Sequence, residues 1–324
     1  MAPSYLITAA SGHIGKRLVP LLLSHPSRPT LVLPTSNAAR LTSLLPADVD
    51  ESRVHILEGS VQDPAFIDAA LKDHKVTSVF LCLTGSDELF TTFNFLDCLR
   101  QSGTVKHLVY LSACGDYSLE AQESGFLKEI YCAHVAVKFI VEAKIKHGLL
   151  PRDQEGGFSW TILGPTLFFG NNFEVQREML QDGVFDHPIG SKGVSCVSED
   201  DIALAVIKAF EDDGKQWGGK KVMLGSLQTY TNEEVARLWS RALGKEIKPR
   251  YSDKASLDAF EQSFKKKAGP AWGRDLRLMF EWFEAMPFGM TQEQYRDQVA
   301  LLGKEAESYE KFVEATAKQW KEQQ

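Results

Sequence analysis

The sequence predicts a doubly wound α/β protein: a parallel sheet covered by helices on both faces, then a smaller, mixed C-terminal portion. Three observations carry this. Short apolar runs alternate with helical stretches through the first half of the 324 residues, as strands joined by right-handed crossovers do. A glycine-bearing turn, "AASGHIG" at 9–15, joins the first apolar run to the first helical stretch. The composition is 44% apolar and 24% charged, which lets a chain of this length bury such a core.

Taken in order, the strands are expected at Tyr5–Thr8, Thr30–Leu33, Val54–Leu57, Val79–Leu83 and Leu108–Leu111. Helices are expected between them at Ile14–Ser24, Ala38–Leu45, Pro64–Leu71 and Leu89–Gln101. A longer helix, Leu127–His147, follows the fifth strand, and "FSWTIL" at 158–163 makes a sixth. After Pro165 the pattern loosens, with helices at Asp200–Glu211, Asn232–Leu243 and from Lys304 to the end, and a short strand at Lys221–Leu224. This divides the chain into a dinucleotide-binding domain, 1–165, and a substrate-binding portion, 166–324. The second portion is expected over the C-terminal ends of the strands, the edge where open α/β sheets bind ligands.

Charge and composition exclude several partners. Net charge is −7, and the only basic cluster, "KKK" at 265–267, reads as a solvated helix face, so nucleic acid is not expected. No apolar run approaches the ~20 residues that span a bilayer, and the N-terminus reads as a first strand rather than a signal peptide. Five scattered cysteines (82, 98, 114, 132, 196) suit a reducing, cytoplasmic setting. Neither they nor the eight histidines show metal-ligand spacing, so no metal is expected.

The opening turn, Ala9, Ser11, Gly12, His13, Ile14 and Gly15, is the candidate phosphate site. Gly12 and Gly15 keep the spacing of the last two glycines in G-x-x-G-x-x-G. Gly12 lets backbone approach a pyrophosphate, and Gly15 lets the helix pack closely on the strand, with the phosphates at the helix N-terminus. Ala9 replaces the first glycine, and its methyl costs little only if φ there is negative. The second strand ends in "LVLPTSNAAR" without an acid. Thr35, Ser36 and Asn37 can bond a phosphate and Arg40 can supply the charge, which favours NADP over NAD. The alternative is that Ser36 or Asn37 simply caps the next helix.

The chain resembles the NmrA-like family, atypical short-chain dehydrogenases related to isoflavone reductase-like proteins. The likeness runs through "LITAASGHIGKRLV", "VHILEGSVQDPAFIDAAL", "VKHLVYLSACG", "KFIVEAKIKHG", "FSWTILGPTLFFGNN", "CVSEDDIALAV", "GGKKVMLGSLQTYTNEEVARLWSRALGKEI" and "SYEKFVEATAKQWK". It implies a Rossmann-type fold, an NADP cofactor and further cofactor contacts at Ser60, Val61, Thr84, Gly85, Pro165, Leu167 and Phe168. It also implies Lys138 as the catalytic lysine. Departures are Ala9 for a glycine, Pro34 for a 2′-phosphate arginine, Ser60 for an aspartate and Gly164 for an arginine. His134 stands where a short-chain dehydrogenase has its tyrosine, four residues before the lysine, and Ser112, after the fifth strand where the usual serine is expected, is followed by Ala113.

The residues themselves support a related reading. Tyr131, His134 and Lys138 recur at spacings of three and four, which places them on one helix face. Lysine can hold a ribose and lower a neighbouring acid's pKa, and histidine can donate a proton near neutral pH. The plain alternatives are a solvated lysine, a packed histidine and a packing tyrosine, with Glu142 expected as the salt-bridge neighbour of Lys138. "AWGRDLRLMFEWFEAMPFGM" at 271–290 can line an apolar pocket or form the core of the C-terminal portion. The functions in view are an NADP-dependent reductase of a small apolar, aromatic or conjugated carbonyl substrate, a dinucleotide-sensing regulator with a protein partner, and a redox-neutral isomerase or cyclase.

Overall fold

The computed structural model describes residues 2–47, 49–83, 87–125, 128 and 130–323. Strands β1 (Ser4–Ile7), β2 (Thr30–Thr35), β3 (Val54–Glu58), β4 (Ser78–Leu81), β5 (His107–Leu111) and β6 (Ser159–Pro165) lie in the order β3-β2-β1-β4-β5-β6. All five junctions are parallel. Strand β10 (Lys220–Leu224) adds a seventh position beside β6. The order reverses between β1 and β4, so the crevice at a topological switch point opens beyond the C-terminal end of β1. There Thr8 Oγ1 donates to the Cys82 carbonyl at 2.9 Å and accepts from the Cys82 N–H at 2.8 Å, tying the two strand ends together.

Contacts group the chain into two compact units. The first comprises Met1–Ser118, Val137–Gly164 and Glu199–Val222. Here α1 (Gly15–Leu23), α2 (Ala38–Thr42), α3 (Pro64–Asp73), α4 (Glu88–Ser102), most of α6 (Ala133–His147) and α7 (Glu199–Asp212) flank the sheet. Period-two strands and period-3.6 helices meet in one cluster: Leu6, Val79, Leu108 and Ile162 pack with Leu71, Phe95, Leu99, Val141 and Ile145. On another part of the sheet Tyr5 stacks on Phe210 at 4.4 Å.

The second unit comprises Leu119–Ala136, Pro165–Ser198 and Met223–Gln324. It begins with the short helix α5 (Leu119–Glu123) and holds a three-stranded sheet of β7 (Leu167–Phe168), β9 (Val194–Val197) and β11 (Thr229–Tyr230). A two-stranded piece joins β8 (Val184–Phe185) to β12 (Lys248–Pro249). The helices are α8 (Asn232–Leu243), α9 (Lys254–Ala268), α10 (Pro270–Ala285), α11 (Gln292–Leu302) and α12 (Tyr309–Glu322). Buried Asn172 accepts from the Trp239 indole at 3.0 Å and the Tyr309 hydroxyl at 2.8 Å, and Trp239 stacks on Trp320. Among the described residues no helix is long and apolar enough to cross a membrane.

Three expectations need correction. The long helix starts at Ala133 rather than Leu127, because the Asp275 carboxylate takes the Ala133 N–H at 2.6 Å and so caps the chain there. The last helix starts at Tyr309 rather than Lys304, capped by Ser308, whose hydroxyl accepts from the Lys311 N–H. The stretch after Pro165 is more regular than its pattern suggested: α9, α10 and α11 occupy most of 254–302. In α9 only Leu257 is buried, so the apolar period is too faint to read.

Candidate functional site

The turn after β1 is set by backbone. A Cβ built on Gly15 would stand 2.4 Å from the carbonyl oxygens of both Ala9 and Ala10, so no larger residue fits. Gly12 is less confined: its Cβ would meet the Ala9 oxygen at 3.1 Å and otherwise only the Ala9 methyl. The Gly12 N–H donates to the Ala9 carbonyl at 2.8 Å and closes the turn. Ala9 has φ +52°, so the condition for a cheap alanine is not met. A left-handed alanine costs roughly 1–2 kcal/mol, and the turn carries that strain. Helix α1 starts without a side-chain cap at Ile14; the Lys16 and Arg17 N–H groups are taken by the Gly12 and Ile14 carbonyls at 3.0 and 2.9 Å, so an anion would be met by the amides ahead of Lys16. Ser11 is half-buried, His13 exposed and Ile14 buried. These residues fit a pyrophosphate through bare backbone rather than through charge.

The turn after β2 is more occupied than expected. The Asn37 side chain accepts from the Arg40 N–H at 2.8 Å and caps α2, as its alternative reading held. The Thr35 hydroxyl faces the Asn37 carbonyl at 3.3 Å. Ser36 and the Arg40 side chain are exposed. An acid that β2 lacks comes from its neighbour: Glu58, paired in register with Thr35, accepts from the Ala38 N–H at 2.9 Å. Ser60 accepts from the Gln62 N–H at 3.2 Å, and Val61 is half-buried against the core. Thr84 and Gly85 lie outside the described residues.

Lys138 is not a solvated lysine. It is 6% exposed, and its Nζ donates to Glu88 Oε1 on α4 and lies 5.3 Å from the centre of the Tyr110 ring. The Tyr110 hydroxyl donates to the same carboxylate oxygen at 2.8 Å. Burial, then the Glu88 charge, pushes the Tyr110 hydroxyl well above its ordinary pKa, so it stays protonated. Burial also pushes the nearby Cys82 thiol up to about 11 against the pull of Lys138.

Glu142 is not the partner of Lys138, which corrects the expectation from their spacing. One turn further along α6, Glu142 is fully buried and accepts from Lys146 at 2.8 Å, from Lys221 at 2.6 Å and from the Ser112 hydroxyl. Lys221 also donates to the Gly115 carbonyl at 2.8 Å, so it braces the segment after β5. Burial lowers the Lys221 pKa to about 8 although Glu142 opposes it.

In the second unit, Tyr131 precedes α6 and is 42% exposed, so it does not share a helix face with His134 and Lys138. His134 Nδ1 pairs with Asp275 Oδ2. Burial would raise the Asp275 pKa, but the bonds from His134 and from the Ala133 and His134 amides hold it below the ordinary value. Pro165 ends β6, while Leu167 and Phe168 form β7 against Cys196 and Val197. In the aromatic segment Phe280, Trp282, Phe283 and Phe288 are buried and pack on each other, so core packing accounts for them. Glu58, Glu88, Lys221 and Asp275 were not singled out in the sequence as partners. Glu88 and Asp275 lie 50 and 141 residues from theirs, and no local spacing signals such a contact.

The strand order and the glycine turn define an α/β protein of the dinucleotide-binding type. The chain belongs to the NmrA-like family, whose model matches residues 4–297. It is 26% identical over 235 residues to an oxidoreductase of Pestalotiopsis microspora, covering 68% of this chain and 84% of that one. Its fold is similar to that of an NADPH-dependent quinone oxidoreductase of Escherichia coli solved with NADPH (TM-score 0.72, 17% identity, 96% and 99% of the two chains). It is also similar to that of the Citrobacter triphenylmethane reductase solved with NADP(H) (TM-score 0.71, 17% identity, 97% and 99%).

Proposed function

We propose that this chain is an NADP(H)-dependent reductase of a small, apolar, conjugated acceptor. The observation that carries the proposal is the β1–α1 turn. It sits at the switch point, Gly15 tolerates no side chain, and Gly12 exposes backbone beside an uncapped helix start. Oxidoreductase relatives and neighbours solved with NADPH or NADP(H) support the same reading. In it, Ser11, Gly12 and His13 would face the pyrophosphate, with Ser36 and Arg40 at the adenosine end. Lys138 would serve the reactive end. When bound, the cofactor supplies a hydride.

The protein's own protons favour a conjugated acceptor over an isolated carbonyl. The Tyr110 hydroxyl and the Lys138 ammonium are committed to Glu88, and the Ser112 hydroxyl to Glu142. Releasing any of these protons would break a buried, charge-assisted bond. His134 is held through Nδ1 by Asp275, and a neutral ring that gives its Nδ1–H to that carboxylate carries no proton on Nε2 to offer. A quinone or similar acceptor delocalises the charge that the hydride brings and needs little help from an acid at that moment. An aldehyde requires that help, which is worth roughly 10²–10⁴-fold.

The test is turnover with NADPH, followed by nicotinamide absorbance, on a naphthoquinone and on benzaldehyde. The expected result is quinone reduction at least about a hundredfold faster than aldehyde reduction. Equal rates on both, or no oxidation of NADPH with any conjugated acceptor, would refute the proposal.

A further inference from the structure

We infer that Glu58 selects between the two nicotinamide dinucleotides, acting from β3 on the turn after β2; this rests on the dinucleotide reading above. In a doubly wound sheet the end of β2 is where a cofactor's adenosine ribose is recognised. An acid there accepts from a free 2′-hydroxyl, and a cation there accommodates a 2′-phosphate. β2 ends in Pro34 and Thr35 and supplies no acid of its own. The adjacent strand does: Glu58 is the register partner of Thr35, and the Gly59 N–H donates to the Thr35 carbonyl at 2.9 Å. The Glu58 carboxylate reaches over the turn to the Ala38 N–H at 2.9 Å.

The rest of the turn adds to the argument. Thr35 and Asn37 spend their side-chain oxygens within it. What remains for a phosphate is the Ser36 hydroxyl and the Arg40 guanidinium, both exposed. Among the described residues Arg40 makes no ion pair and no side-chain hydrogen bond, so its charge is not spent on Glu58. The turn therefore presents one cation that attracts a 2′-phosphate and one anion that repels it. The anion occupies a backbone amide the phosphate could otherwise use. The protein accepts both dinucleotides, and Glu58 holds back the preference for NADPH that Arg40 confers.

Glu58→Gln isolates the charge, because its amide oxygen can still accept from Ala38 while the negative charge is gone. The measurement is the affinity of purified protein for NADPH and for NADH, each by fluorescence titration, with thermal melts to confirm folding. Glu58→Gln is expected to raise the NADPH:NADH affinity ratio about threefold to tenfold at low salt. The gain should shrink near 1 M salt, where the Debye length is about 3 Å. Glu58→Lys should raise the ratio further. A ratio unchanged in Glu58→Gln overturns the inference. So does a parallel fall for both cofactors, which would make Glu58 a brace of the turn only. Failure of the unaltered protein to bind either dinucleotide would overturn the reductase proposal as well, whereas binding of both with an unmoved ratio overturns this inference alone.

Discussion

The β1–α1 turn and the buried lysine of α6 are built by different means. At the turn, backbone does the work. Gly15 is required because two carbonyl oxygens would lie 2.4 Å from a Cβ. At Lys138, side chains do the work. One ammonium is held by a carboxylate on α4, which also accepts a hydrogen bond from Tyr110 on β5. A site made from backbone leaves a mark in local sequence, because only glycine satisfies it. A site made from side chains leaves its mark in pieces, and the pieces mean nothing until the fold joins them.

The largest expected effect sharpens this contrast at the lysine. Lys138→Met leaves Glu88 buried, charged and short of its cation. Breaking such a pair costs roughly 3–5 kcal/mol, whereas replacing both partners is far cheaper. Lys138→Met should therefore lose about that much stability in urea unfolding, and Lys138→Met with Glu88→Gln should regain most of it. If the double variant is as unstable as the sum of the two single ones, the two residues do not act as a pair.

Next in size is acid sensitivity, which should appear in both units. Burial lowers the pKa of His107 to about 4 in the first unit and that of His187 to about 4 in the second, the latter with help from Lys267. Both are ordinarily near 6.5. Between pH 6.5 and 4 the unfolded chain takes up protons that the folded chain refuses, so stability falls as pH falls and levels off below about 4. Each histidine should contribute up to about 3 kcal/mol of this loss. His187 sits among Phe185, Phe260 and Phe280, so His187→Phe should flatten the decline measured by denaturant unfolding across that range. A decline unchanged in slope would show that His187 carries no such proton linkage.

The legibility of the molecule follows the same line. Each of the first six strands was marked by an apolar run and found within a few residues, and Asn232–Leu243 was found to the residue. There the sequence "TNEE" folds into a capping box between Thr231 and Glu234. The start of α6 was misread because its cap, Asp275, comes from α10. The spacing puts Lys138 on its helix but points to a partner at i+4. Glu142 is indeed one turn away, yet it answers to Lys146 on the next turn and to Lys221, 79 residues distant. For Lys138, spacing along the helix gives the face it occupies but not the carboxylate it meets.

The smallest expected effect tests the strain at the turn itself. Ala9 sits at φ +52°, a conformation glycine adopts freely. Ala9→Gly should stabilise the protein by about 1 kcal/mol, the left-handed penalty less the added freedom of the unfolded chain. Affinity for NADPH should not fall. A loss of stability on thermal or urea unfolding would mean that the alanine methyl contributes packing that outweighs its strain.

The most direct test of the central claim, that this turn holds the dinucleotide's phosphates, is an NADPH titration of the unaltered protein beside Gly12→Val. The valine side chain would project from the one turn glycine whose surroundings leave space. The account predicts saturable binding to the unaltered protein and a loss of about tenfold or more in a variant that still melts cooperatively. Undiminished binding by folded Gly12→Val, or no binding by the unaltered protein, would contradict it.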